Sequence, residues 1–238
     1  MGVMFDSHDL EAMLIVGDPE ITPFSFAPSY YETKRDGAVV SDVLMAPATV
    51  AFTVVVTGEA GERRDKLSTL AMWLNVDEPK QLVLPDTPGR YYMAIPDGEL
   101  KLTRCVDGEI GQLTFTITEP ASYGPEREVT VPSGGSVTFV VDGTYPTAPV
   151  ITAAAVRDNS SQVWGLKLDN ADFVHIATGN ASARNIVCDC GNRTLTIQTA
   201  VALPTLDSDW LVFEPGEHTL TMDKGTGAAT VKYRERWI

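Results

Sequence analysis

Short stretches of alternating apolar and polar residues, cut by glycine and proline, make up most of the chain. Alternation puts every second side chain on one face, which is the period of a half-buried β-strand. Ala51-Phe52-Thr53-Val54-Val55-Val56 is one such stretch. Residues 112–118 form a cleaner one, with Leu113, Phe115 and Ile117 on a common face. Residues 99–105 are its expected mate. The link is Val106-Asp107-Gly108-Glu109, and Asp-Gly is a strong hairpin signal. A second Asp-Gly, Asp97-Gly98, separates residues 91–95 from the strand at Leu100, so the three stretches read as an antiparallel meander.

One segment has a different period. In residues 62–75, Leu67, Leu70, Ala71 and Leu74 fall at i, i+3, i+4 and i+7, an apolar stripe that predicts a helix. Pro79 bounds it. Pro120, Gly124 and Pro125 then make residues 119–125 a stiff, helix-free joint. The expected organisation is a first domain at 1–121, a linker at 119–125 and a second domain at 126–238. Beyond the joint the pattern is nearly all strand. Candidates are 128–131, 136–141, 150–155, 163–168, 173–176, 185–188, 194–198, 211–213, 218–222 and 229–233. Pro132-Ser133-Gly134-Gly135 is a turn between the first two. Strands at a spacing of roughly ten residues predict a β-sandwich. The expected class is therefore mainly β, a sandwich-like first domain with one helix followed by a second sandwich.

Composition narrows the function. The chain has 238 residues, of which 44% are hydrophobic and 21% charged, so it can build a substantial core. No run approaches the roughly 18 apolar residues of a membrane span, so membrane insertion is not expected. The opening, with Asp6, Asp9 and Glu11, lacks the basic start and apolar middle of an export signal. Net charge is −14, opposite to the excess of a patch-driven nucleic-acid binder. Residues 1–122 hold nine basic and nineteen acidic side chains, a net of −10, so acid concentrates in the first half. Cys105, Cys188 and Cys190 are too few for a disulfide framework and read as reduced thiols of a cytoplasmically made protein.

The search for chemistry returns little. Cys188 and Cys190, at i and i+2 of a strand, share a face, but a structural zinc site needs four ligands and the remaining donors are scattered. They read as small core thiols. His175 would suit a general base, yet no Gly-x-Ser-x-Gly elbow accompanies it, and it reads as a polar-face strand residue. Asp207 and Asp209 flank Ser208 before Trp210, a spacing that fits a solvated loop better than a glycosidase acid pair. Trp164 alternates with Leu166 and Leu168 and reads as core. Tyr145 and Trp210, each in a turn, are the candidates for exposed rings that would stack on a sugar. There is no phosphate loop and no dinucleotide fingerprint. No catalytic residue, metal or cofactor is expected.

A set of segments in fixed order carries a family resemblance. It comprises Phe5-Asp6-Ser7-His8-Asp9-Leu10, Asp77-Glu78-Pro79, and Leu84-Pro85-Asp86-Thr87-Pro88-Gly89-Arg90-Tyr91-Tyr92. In the second half come Asp158-Asn159-Ser160-Ser161, Leu168-Asp169-Asn170, Asp209-Trp210-Leu211-Val212-Phe213-Glu214-Pro215-Gly216, and the close Tyr233-Arg234-Glu235-Arg236-Trp237. The sequence resembles the distal tail proteins of bacteriophages with long, non-contractile tails. The resemblance implies a structural protein of the virion's distal tail, assembled in the bacterial host cytoplasm. Members form a hexameric ring, usually doubled to a dodecamer in isolation, between the tail tube protein and tail-tip, baseplate or receptor-binding proteins. DNA passes through the lumen without specific binding, which suits an acidic first half. The N-terminal domain builds the ring and extends an arm, for which residues 33–46 are the candidate, with Thr33, Lys34, Arg35, Asp36 and Gly37 at its turn. The C-terminal domain is a galectin-like or carbohydrate-module-like sandwich.

The alternative is a host-adhesion protein that binds carbohydrate through the C-terminal sandwich, with Tyr145 and Trp210 as contacts. A sugar-binding galectin would carry His-x-Asn-x-Arg and Trp-x-x-Glu. Here His175 is followed by Ile176-Ala177-Thr178, and Trp210 by Leu211-Val212-Phe213 before Glu214, so the sugar site of that fold is not reproduced.

Overall fold

The computed structural model describes residues 2–22, 25–32, 37–169, 171–179 and 182–238. The fold is mainly β, with one α-helix among the described residues, and divides into two compact units, Met1–Tyr123 and Gly124–Trp237.

The first unit contains β1 (Met4–Phe5), β2 (His8–Asp9), β3 (Ile15–Val16), β4 (Glu20–Ile21), β5 (Ser25–Glu32), β6 (Ala38–Ala46), β7 (Ala48–Thr57), α1 (Ala60–Leu74), β8 (Lys80–Val83), β9 (Tyr92–Asp97), β10 (Thr103–Cys105) and β11 (Gly108–Ile117). Nine of these strands form one sheet in the order β2-β1-β8-β9-β11-β7-β3, with β10 on β11 and β4 on β7. The remaining two, β5 and β6, pair only with each other.

Alternation explains the central strands. Val50, Phe52, Val54 and Val56 of β7 point inward and are fully buried. The next strand in the sheet, β11, pairs with β7 from Gly108↔Thr57 to Ile117↔Ala48, which adds Leu113, Phe115 and Ile117 to the same core. Phe115 anchors it, with ring centroids 5.0 Å from Phe5 and 6.0 Å from Phe52.

Two local expectations are corrected here. Residues 99–102 form no strand, so of the expected mate only β10 pairs with β11, from Thr103↔Ile110 to Cys105↔Gly108. The carbonyl oxygen of Lys101 lies 2.6 Å from where a Cβ on Gly111 would stand. A strand's Cβ points out of the sheet face, so this segment crosses the face of β11 instead of lying beside it, and Leu100 and Leu102 pack on the core. Beside β10, β11 pairs with β7 along its whole length and with β9 through Thr114–Ile117. The second correction concerns α1. Its first turn is held by Glu62, whose Oε2 accepts from the Glu59 N–H at 3.2 Å. Leu70 is buried and Leu67, Trp73 and Leu74 pack beside it, but Ala71 faces solvent. The stripe is rotated toward Trp73 because the indole stacks on the His8 ring, with centroids 4.5 Å apart and planes 4° apart.

The second unit contains the greater part of β12 (Ser122–Val131), then β13 (Ser136–Val141), β14 (Val150–Ala155), β15 (Trp164–Leu168), β16 (Asp172–Ile176), β17 (Arg184–Asp189), β18 (Thr194–Ile197), β19 (Ala200–Ala202), β20 (Gly216–Lys224) and β21 (Ala229–Trp237). They form a six-stranded sheet, β12-β21-β14-β17-β18-β19, and a four-stranded sheet, β13-β20-β15-β16. Both sheets feed one core, with Trp164, Phe213, Ile151 and Leu166 fully buried in it. Residues 122–125 are already strand. Gly124 leaves room there for the Trp237 ring, which would lie 2.6 Å from an added Cβ. Residues 211–213, expected as a strand, make a single bridge instead: Phe213 exchanges backbone hydrogen bonds with Thr147 at 2.9 and 2.7 Å. Leu211 and Phe213 are buried on either side of half-exposed Val212, which is the source of the alternating pattern.

Candidate functional site

Two surface features stand out, one in each unit. The first is the β5–β6 ribbon. It pairs from Ser25↔Ala46 to Glu32↔Ala38, with an irregularity between Ser29 and Tyr30. Phe26, Tyr30, Tyr31, Val39, Val40, Val43 and Leu44 are all more than half exposed, Tyr31 at 70%. A two-stranded ribbon alone in water is marginal, and exposed apolar clusters of this kind mark interaction surfaces. Of the turn residues expected for an arm, Thr33, Lys34, Arg35 and Asp36 lie outside the described residues. Gly37 lies just before β6 with φ of +111°, a left-handed conformation that glycine adopts without strain.

The second feature is a depression of about 400 Å³ in the second unit. Tyr145 and Trp210, far apart in sequence, both line it, together with Thr147, Cys190, Arg193 and Arg236. Strand β21 places Tyr145: the N–H groups of Thr144 and Tyr145 donate to the Arg236 carbonyl at 2.9 and 3.2 Å. The Arg236 guanidinium carbon then lies 4.8 Å from the Tyr145 ring centroid, a cation–π contact, while Nη1 donates to the Pro146 carbonyl at 3.4 Å. Trp210 packs partly on the core and is half-buried, with the rest of its ring in the wall of the depression. The two arginines are the part of this site that the sequence did not reveal.

The histidines are more enclosed than their sequence context suggests. His175, expected on a polar face, is buried, with Nδ1 3.3 Å from Asp207 Oδ2 and Nε2 2.8 Å from Asp223 Oδ2. The loop at 205–209 covers it: Ser208 Oγ accepts from the His175 N–H at 2.8 Å, and the Thr205 N–H donates to its carbonyl at 2.9 Å. The exposed Asp207 carboxyl is held below its ordinary value by hydrogen bonds from Thr205 and then His175. Asp209 does not join this network through its carboxylate; its N–H donates to the Phe173 carbonyl at 2.8 Å. Cys188 and Cys190 are buried and hydrogen-bonded to one another. No group of three or more His, Cys, Asp or Glu side chains is arranged to hold a metal ion among the described residues.

Residues 142–237, nearly all of the second unit, match the family of siphovirus-type tail components, C-terminal domain. Over its full length the chain is similar in fold to the crystal structure of the Dit protein of phage SPP1, described as a paradigm of hub adsorption apparatus in phages that infect Gram-positive bacteria. The TM-score is 0.77 at 18% identity, covering 100% of this chain and 99% of that one. The resemblance to phage distal tail proteins is thus borne out. A weaker similarity links 94% of the chain to 92% of a chain in the phage p2 baseplate in its activated conformation with strontium, at 8% identity and a TM-score of 0.49. No curated protein matches the chain by sequence.

Proposed function

We propose that this protein is a structural hub at the distal end of a siphophage-like tail, where copies of the first unit close a hexameric ring. The observation that carries the proposal is the exposed β5–β6 ribbon. Seven large apolar side chains on an otherwise unpaired hairpin need a cover, and a second copy of the chain supplies it. An arm that leaves one subunit and docks elsewhere on the next is a heterologous contact, and such contacts close into a ring where the rotation from subunit to subunit completes a circle. The siphovirus-type tail match supports the setting.

The mechanism is architectural. The ring continues the tail tube, and the second unit presents docking surface to tail-tip, baseplate or receptor-binding proteins. The net of −10 in residues 1–122 suits a lumen that passes DNA without holding it, because carboxylates repel phosphates. The protein acts in the virion's distal tail after assembly in the bacterial cytoplasm, and it is not an enzyme. Light scattering with negative-stain imaging tests the proposal. A mass of six or twelve chains with a central hole is the expected result. A monomer at every concentration, with no ring formed on added tail tubes, overturns it.

A second reading is favoured by one observation: Tyr145 and Trp210 line one depression. In this reading the second unit also binds carbohydrate on the host surface. A glycan screen tests it, with Tyr145→Ala and Trp210→Ala expected to abolish any hit.

A further inference from the structure

We infer that the Tyr145–Trp210 depression is built for an anionic saccharide and that Arg193 sets the preference for negative charge. The inference rests on the second reading above and adds the chemical class of the ligand. Across the chain acidic side chains outnumber basic ones, 32 to 18. The depression reverses this, since Arg193 and Arg236 line it and no Asp or Glu does.

The two guanidiniums have different duties. Arg236 is occupied, stacked on Tyr145 and bonded to the Pro146 carbonyl, so it fixes the aromatic wall. Arg193 is exposed, and no hydrogen bond or ion pair engages its guanidinium among the described residues. It sits on the turn between β17 and β18 with φ of +53°, a left-handed conformation that is costly for arginine. Asp189 at the start of that turn is consumed locally, accepting from the Asn192 N–H at 2.9 Å and Nδ2 at 2.8 Å. Asp189 keeps its charge but spends both oxygens on Asn192, and it makes no ion pair with Arg193.

A free guanidinium at the edge of a rigid aromatic cleft takes a carboxylate or phosphate through two parallel N–H bonds. Tyr145 and Trp210 supply rings against which the C–H face of a sugar packs. A volume of about 400 Å³ lies within the range of small-ligand clefts, roughly 300–1,000 Å³. The chain's overall net charge of −14 disfavours a long polyanion such as nucleic acid but not a short acidic saccharide.

The test titrates the intact chain with four probes: a galacturonic acid trimer, a neutral galactose trimer, glucose 6-phosphate and inorganic phosphate. Saturation-transfer NMR and tryptophan fluorescence are the readouts. The acidic trimer, the sugar phosphate or both are expected to bind roughly tenfold more tightly than the neutral trimer, the ratio a charge-assisted contact supplies. Arg193→Gln should remove that ratio while leaving the melting temperature unchanged. Equal binding of acidic and neutral trimers, indifferent to Arg193→Gln, overturns the charge preference and leaves the carbohydrate reading standing. Binding of no saccharide overturns both. Inorganic phosphate bound as tightly as glucose 6-phosphate, with no trimer bound, overturns the saccharide assignment.

Discussion

The Nδ1 of His218 lies 2.5 Å from Asp169 Oδ2, and its Nε2 lies 2.6 Å from the Glu214 carbonyl oxygen. A neutral imidazole has one N–H, so two facing acceptors select the doubly protonated form. Burial alone would lower the His218 pKa, but the Asp169 hydrogen bond and then the Glu214 carbonyl outweigh it and hold it above its ordinary value. Asp169 is correspondingly held low: burial would raise it, and the hydrogen bonds from His218 and the Thr219 N–H prevail. A raised histidine contributes stability below about pH 6.5, lost as pH rises through the folded value; a lowered aspartate contributes above about pH 4, lost as pH falls. The pair therefore stabilises the second unit most between those limits. Asp169 is 41% exposed, so solvent screening limits the pair to about 1 kcal/mol. His218→Gln should cost about that much more at pH 5.5 than at pH 8.5 by denaturant titration. An equal cost at both pH values would show that His218 is not charged.

Tyr31 and Leu44, at 70% and 60% exposure, lie on opposite strands of the β5–β6 ribbon. Neither is buried within its own chain, so replacing both by serine should change monomer stability by no more than about 0.5 kcal/mol. Association should suffer instead, because the buried apolar area of a ring contact would be lost. Sedimentation velocity on Tyr31→Ser/Leu44→Ser should show the ring species shifted to smaller forms at equal concentration. Unchanged assembly would place the contact elsewhere.

Much of the fold was readable because burial repeats at strand period. The inward residues of β7 and β11 alternate, and residues 136–141 and 150–155 are strands with the expected bounds. Pairing was less readable. Asp107-Gly108 correctly marked a turn, yet the long partner of β11 is β7, since a hairpin signal is local and sheet order is decided by the whole core. The depression was half visible. Turn context marked Tyr145 and Trp210, but Arg193 comes from the β17–β18 turn and Arg236 from β21. Only the six-stranded sheet joins them. His175 failed as a polar-face residue because residues 205–209, which carry no periodic signal, fold over it.

The three thiols should separate by reactivity. Cys105, on the edge strand β10, is exposed, whereas Cys188 and Cys190 are buried. The hydrogen bond with Cys190 and then burial push the Cys188 thiol up, which withholds the reactive thiolate. A chromogenic disulfide at pH 8 should titrate one thiol rapidly in the native protein and the other two only on unfolding. Cys105→Ser should remove the fast phase. Rapid release of more than one equivalent would contradict the buried placement.

Gly143 holds the depression together through what it lacks. Its φ is +118°, and an added Cβ would stand 2.3 Å from the Arg236 carbonyl oxygen. That same oxygen accepts the N–H groups of Thr144 and Tyr145, so any displacement there moves Tyr145 off Arg236. Gly143→Ala should combine backbone strain with a steric clash and cost about 2–4 kcal/mol. Gly216 provides the control. Its φ is +132°, but nothing lies within 4 Å of its would-be Cβ, so Gly216→Ala should cost only the strain, about 1–2 kcal/mol. Denaturant midpoints of the two variants isolate the clash as their difference. Equal losses would show that β21 yields at Arg236 without resistance, and the Tyr145–Arg236 contact would then be too soft to preorganise a binding site.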